Sequence, residues 1–203
     1  ESIIGIGTAT VYFDEKELDS ERIAPMTIRE VADAHATGNK KTNGNLTLYT
    51  VATRAAGGLH AYTCAEWRAG TNGDGKTSWG LEEDKISITA QKKGLWIVNE
   101  NFSANTVGGS SLENYHLEDV GYTSVVYSFE EYCAEDSKKN VNFAVVSATY
   151  NGNLDGDPYN CKSTYVHTWA DTSVSYTIGA TDCSITMSSS KAAWQLASYV
   201  TVS

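Results

Sequence analysis

Hydrophobic and polar positions alternate with a period of two along most of this chain, the pattern of strands with one buried face. At the front, Ile4, Ile6, Thr8, Thr10 and Tyr12 share one face; at the back, Ala192, Trp194, Leu196, Ser198, Val200 and Val202 do the same. Asn45–Arg54 and Leu59–Arg68 flank an Ala-Gly-Gly turn signal and predict a hairpin. Its second arm places Leu59, Ala61, Thr63, Ala65 and Trp67 on one face and His60, Tyr62, Cys64 and Glu66 on the other. Lys85–Gln91 and Leu95–Asn99 around Lys92-Lys93-Gly94 predict a second hairpin. Further strands are expected at Val120–Cys133, Val141–Tyr150, Ser163–Ala170, Ser173–Ile178, Ser184–Met187 and Ala192–Val202. Ala104–Glu118, with Gly108-Gly109 and little periodicity, reads as a long surface loop, and Asn151–Asn160 as another.

One stretch changes period. Thr27 and Glu30 form a capping box, Met26 and Val31 can staple across it, and Gly38 supplies a stop. Ile28–Thr37 is therefore predicted as a short amphipathic helix. About ten strands, one helix and only 2 prolines indicate a mainly β chain, a β-sandwich of immunoglobulin-like or jelly-roll-like type spanning 1–203 as a single domain.

A 41% hydrophobic share supports a packed core and argues against global disorder. The net charge of −10 disfavours nucleic acid and anionic membranes as partners. No apolar run reaches the roughly 18–20 residues of a membrane-spanning helix. The chain begins at Glu1 rather than methionine, from which a processed, exported product is expected. The 4 cysteines are far apart and lack zinc-site spacing, so two disulfides in an oxidising compartment are expected. If Ser163–Ala170 and Ser173–Ile178 form a hairpin, Cys161 and Cys183 lie beyond its open end, and Cys64 pairs with Cys133 by elimination. Asn45 and Asn101 fit the glycosylation acceptor pattern.

Asn151-Gly-Asn153-Leu-Asp155-Gly156-Asp157 matches the first half of a calcium loop, but Lys162 stands where a bidentate Glu should close it. An ordinary Asn/Gly/Asp turn explains the stretch as well. Glu130 and Glu131, adjacent on a strand, point to opposite faces and cannot flank one glycosidic bond. No nucleophile elbow, zinc-protease helix, phosphate loop or dinucleotide fingerprint occurs, so no enzyme and no cofactor are expected. Tyr165, His167 and Trp169 alternate onto one strand face that suits sugar stacking or core packing. Trp67, Trp96 and Trp194 read as core residues, and Trp79, in a Ser/Gly-rich stretch, as a free platform.

From Ser163 onward the charged side chains are Asp171, Asp182 and Lys191 alone, leaving a strand-forming tail without charged gatekeepers. Such a tail must lie centrally in its sheet or be covered by another subunit. The leading expectation is an extracellular, homopolymeric structural protein, a surface filament or pilus subunit assembled by strand complementation. Glu1–Phe13 is the donated strand, through Ile4, Ile6, Thr8, Thr10 and Tyr12, with Gly5 and Gly7 permitting close backbone approach. The alternative is a secreted carbohydrate-binding module or adhesin, with a cell-surface or glycan partner contacted by Trp79, Tyr115, His167 and Trp169.

Overall fold

The computed structural model describes residues 2–14, 42–55, 58–68, 83–106, 108–130, 141–168, 174–187 and 193–203. They form twelve strands: β1 (Ser2–Asp14), β2 (Thr42–Ala55), β3 (Gly58–Arg68), β4 (Asp84–Ala90), β5 (Leu95–Thr106), β6 (Tyr115–Val120), β7 (Ser124–Phe129), β8 (Val141–Gly152), β9 (Tyr159–Thr168), β10 (Val174–Ile178), β11 (Cys183–Met187) and β12 (Ala193–Val202). Two five-stranded antiparallel sheets pack face to face: sheet A, in the order β1-β2-β3-β8-β5, and sheet B, in the order β12-β9-β4-β7-β6. The helix predicted at Ile28–Thr37 lies outside the described residues.

Inward positions of both sheets meet in one core. Sheet A contributes Leu46, Leu48, Leu59, Ala61, Val146 and Tyr150, and sheet B contributes Ile86, Ile88, Val125, Phe129 and Tyr165. The burial of alternate residues along β3 and β8 is what a half-buried strand produces. β4 and β7 are instead buried at every position. They sit inside sheet B, and its outer face is covered by the two-stranded β10-β11 ribbon. That ribbon sets Cys183 and Ile185, with Val174, Tyr176 and Ile178, against Val126 and Val166.

Hydroxyls fix how the sheets meet. Thr50 Oγ1 lies 2.8 Å from both Ser163 Oγ and Ser198 Oγ, and Thr63 Oγ1 lies 2.7 Å from Ser163 Oγ. All four residues are buried, and this network spans from β2 and β3 to β9 and β12. A buried hydroxyl costs free energy when it loses its partner, so the network discriminates against sliding of one sheet over the other.

The β2-β3 hairpin forms with Arg54 opposite Leu59. The second expected hairpin does not: β4 belongs to sheet B and β5 to sheet A, so Lys92-Lys93-Gly94 carries the chain between sheets. Ala104–Glu118 is less of a loop than expected, since β5 runs to Thr106 and β6 starts at Tyr115. β9 and β10 do not pair either; β9 lies between β12 and β4, and β10 pairs with β11.

The antiparallel order gives the sandwich two unlike poles. Short turns join β4 to β5, β6 to β7, β8 to β9 and β10 to β11 at one pole. At the other pole lie the strand ends that lead into segments 15–41, 69–82, 131–140 and 169–173.

Candidate functional site

The strand singled out for assembly, β1, pairs antiparallel with β2 of its own chain from Ser2 opposite Arg54 to Asp14 opposite Thr42. It is the edge of sheet A and β12 is the edge of sheet B, and the two meet along one side of the sandwich. Glycine makes this meeting tight. A Cβ on Gly7 would fall 1.7 Å from the Tyr199 carbonyl oxygen, and one on Gly5 would fall 2.4 Å from Val200 Cγ2. Close backbone approach was legible in the sequence, but the backbone approached is the chain's own β12. Of the tail, β9 lies inside sheet B, and the edge strand β12 is not left open, because β1 caps it.

The face expected to enter a groove points the other way. Gly5, Gly7 and Ala9 pair with the inward Ala52, Thr50 and Leu48, so the small residues face sheet B. Ile4, Ile6 and Thr8 are on the outside, Ile6 being 57% exposed, and Thr10 Oγ1 lies 3.0 Å from Thr47 Oγ1. Tyr12 pairs with Asn45 along the backbone.

His167, expected as a glycan contact, is fully buried and belongs to a polar cluster at the long-segment end of the core. Its Nδ1 donates to Asp84 Oδ2 at 2.9 Å, the Tyr165 hydroxyl donates to the same carboxylate, and the Thr168 amide donates to Oδ1 at 2.9 Å. Trp67 lies edge-on to His167, ring centroids 5.6 Å apart. Asp84, itself 1% exposed, is thus an acceptor saturated with donors that ties β4 to β9. Burial on this scale denies a ligand access, so the cluster is a structural latch.

Tyr115 is partly exposed but leans on Phe102, ring centroids 4.7 Å apart. Trp79 and Trp169 lie outside the described residues. Trp67 is buried as expected, whereas Trp96 is 46% exposed. Trp96 occupies the outer face of an edge strand, and alternation alone could not tell that face from the inner one.

Cys64, Cys161 and Cys183 carry free thiols, which corrects the expected Cys161–Cys183 bridge. Cys161 belongs to the inter-sheet core and Cys183 to the layer under the β10-β11 ribbon, so sheet B separates them. The hairpin that would have brought them together does not exist. Cys64 lies on the outer face of sheet A, opposite in parity to the inward Thr63 and Ala65, and Cys133 is outside the described residues. Burial pushes the Cys161 thiol up to about 12, and burial followed by the Glu66 charge pushes Cys64 up to about 11.

The calcium-like loop is closed by an ammonium. Lys92 Nζ donates to the Asp155 carbonyl at 2.8 Å and sits 4.8 Å above the Tyr159 ring, while Asn153 Oδ1 accepts the Asp155 amide at 2.9 Å. Among the described residues no group of three His, Cys, Asp or Glu side chains is placed to hold a metal ion. Asn101 is exposed on β5, and Asn45 lies on β2, opposite Arg68.

No protein-family model matches the chain, and no curated protein matches its sequence. The solved structures similar to the chain include three at low identity. A pore forming protein is 10% identical, with a TM-score of 0.41 over 78% of this chain and 86% of that one. The C-terminal domain of the AgI/II polypeptide BspA of Streptococcus agalactiae is 8% identical, with a TM-score of 0.36 over 79% of each chain. A structure from work on Streptococcus parasanguinis adhesion by Fap1 fimbriae is 11% identical, with a TM-score of 0.32 over 98% of this chain and 94% of that one.

Proposed function

We propose that this chain is an extracellular structural β-domain that assembles into a surface filament by exchange of β1. The strand seats on β2 of its own chain when the chain is alone, and on β2 of a neighbour in the polymer. The observation that carries this reading is the seating of β1. It has one ladder partner, β2, and over residues 5–9 its inward face carries only Gly5, Gly7 and Ala9, the two glycines lying directly against β12. Withdrawing it would open a groove between β2 and β12 that only a strand with small residues at those positions refills. Exchange of an identical element needs no new interface, because every contact made in one chain is remade between two. Segment 15–41 joins β1 to β2, and at up to about 3.5 Å per residue it is long enough to let β1 reach a neighbour.

Free thiols remove disulfides as an argument for an oxidising compartment; the extracellular assignment is supported by the acidic composition and the all-strand architecture of the described residues. The test is to delete residues 1–14 and supply that peptide in trans. The truncated chain is expected to stay folded and monomeric, and the peptide to bind it and raise its melting temperature, because a ligand of the native state stabilises it. A truncated chain that unfolds, or that ignores the peptide, would count against exchange.

A second reading, the carbohydrate-binding module or adhesin, loses His167 to the core but keeps a surface of its own at the short-turn pole.

A further inference from the structure

Trp96 and Tyr122 flank a cleft of about 410 Å³ between the edges of the two sheets, lined also by Ile97, Val120 and Gly121. Trp96 is on β5, the free edge of sheet A. Tyr122 is in the turn between β6 and β7, at the free edge of sheet B. Both aromatics are open to solvent, Trp96 at 46% and Tyr122 at 75%.

Their frame is held by backbone bonds. The Ile97 amide donates to the Tyr122 carbonyl at 2.8 Å, joining the two walls directly, and the Ala90 amide donates to the Thr123 carbonyl at 2.9 Å. Gly121 is fixed from behind, where an added Cβ would come within 2.3 Å of Ile178 Cγ2 on the β10-β11 ribbon. Two exposed rings are thus carried on a backbone that has already lost its freedom. Such preorganisation is what lets a small contact area hold a ligand, and the volume falls in the usual range of small-ligand sites, about 300–1,000 Å³.

We propose that the Trp96–Tyr122 cleft is a binding site for a pyranose ring of a neutral glycan. A sugar ring presents an apolar C–H face that stacks on indole or phenol and an equatorial rim of hydroxyls that needs hydrogen-bonding groups. The cleft is lined by one indole and one phenol. Asn151, the exposed cross-strand partner of Trp96, puts a carboxamide on the same face of sheet A. Charge selects within the class. None of the five lining residues is ionisable except the phenol of Tyr122, so nothing there pairs with a carboxylate, sulfate or phosphate. Asp119 adjoins Val120, and the chain carries −10 overall, which further disfavours anionic sugars. The site is independent of β1 and lies on the opposite edge of both sheets.

Saturation-transfer NMR of the full chain with neutral gluco-, galacto- and manno-oligosaccharides and with sialyllactose tests this. At least one neutral series is expected to receive saturation, and sialyllactose none beyond its neutral portion. Trp96→Ala and Tyr122→Ala are each expected to weaken binding by about tenfold or more with circular dichroism unchanged, and Trp96→Phe to retain part of it. No transfer to any neutral sugar at millimolar concentration, or undiminished binding by folded Trp96→Ala, would overturn the proposal. So would a wild-type dimer in light scattering that Trp96→Ala converts to monomer, since a second copy would then be the occupant.

Discussion

Asp84 receives donors from His167, Tyr165 and the Thr168 backbone inside the core, so its removal strands several buried polar groups together. Asp84→Ala is expected to lower the unfolding free energy by about 3–5 kcal/mol, and Asp84→Asn by less, measured by urea denaturation. The thiols define a pH dependence. Burial raises Cys64 and Cys183 from 9.0 to about 11 and Cys161 from 9.0 to about 12, so folding favours the neutral thiols. Their stabilisation is complete below the unfolded value, near pH 9, and is lost as pH rises through about 11 to 12. The urea midpoint should therefore not respond to these thiols from pH 7 to 9 and should fall above that, and native thiols should react with an aromatic disulfide reagent far more slowly than unfolded ones. A midpoint that rises between pH 9 and 11 would show the sign to be wrong. At this scale the sequence was only partly legible. Alternation placed Tyr165 and His167 on one face without telling that it points inward, and nothing local marked Asp84, far away on β4, as their partner. Trp96 was misread because a hydrophobic residue on an edge strand carries the same alternation whichever face it is on.

Strands are the elements that alternation identifies well, and hairpin pairing is where it fails. The β2-β3 pairing was readable because a tight turn within one sheet leaves the inward faces continuous. The turn at Lys92-Lys93-Gly94 has the same signature, yet it crosses from sheet B to sheet A, and only packing decides between the two. The β10-β11 ribbon covers the outer faces of β7 and β9 at Val126 and Val166, a second layer that alternation along either strand does not announce. β1 offers a direct test of element packing. Gly7→Ala puts a methyl group 1.7 Å from the Tyr199 carbonyl oxygen, so the strand must lift from β12. Faster hydrogen exchange in residues 2–14 is expected, with a loss of about 1–3 kcal/mol, while β4, β7 and β9 keep their protection. Unchanged exchange in β1 would show that β1 does not sit where the structure places it.

The whole molecule is a sandwich closed along one side by β1 against β12 and knit across its short-turn pole by backbone bonds. Its length, composition and strand count announced this class, while the choice of which strand caps which edge came from contacts far apart in sequence. The central claim, that β1 can leave its own sheet and complete another, is tested by two single-cysteine additions. Ile6 and Val51 are register partners on the outer face of β1 and β2. Chains carrying Ile6→Cys are unfolded together with chains carrying Val51→Cys, refolded at high concentration and oxidised; the chain carrying both changes serves as the internal control. Strand exchange predicts a disulfide-linked dimer containing one chain of each kind, alongside internal closure in the double variant at low concentration. Internal closure in the double variant with no mixed dimer at any concentration would contradict it and leave β1 as an ordinary first strand.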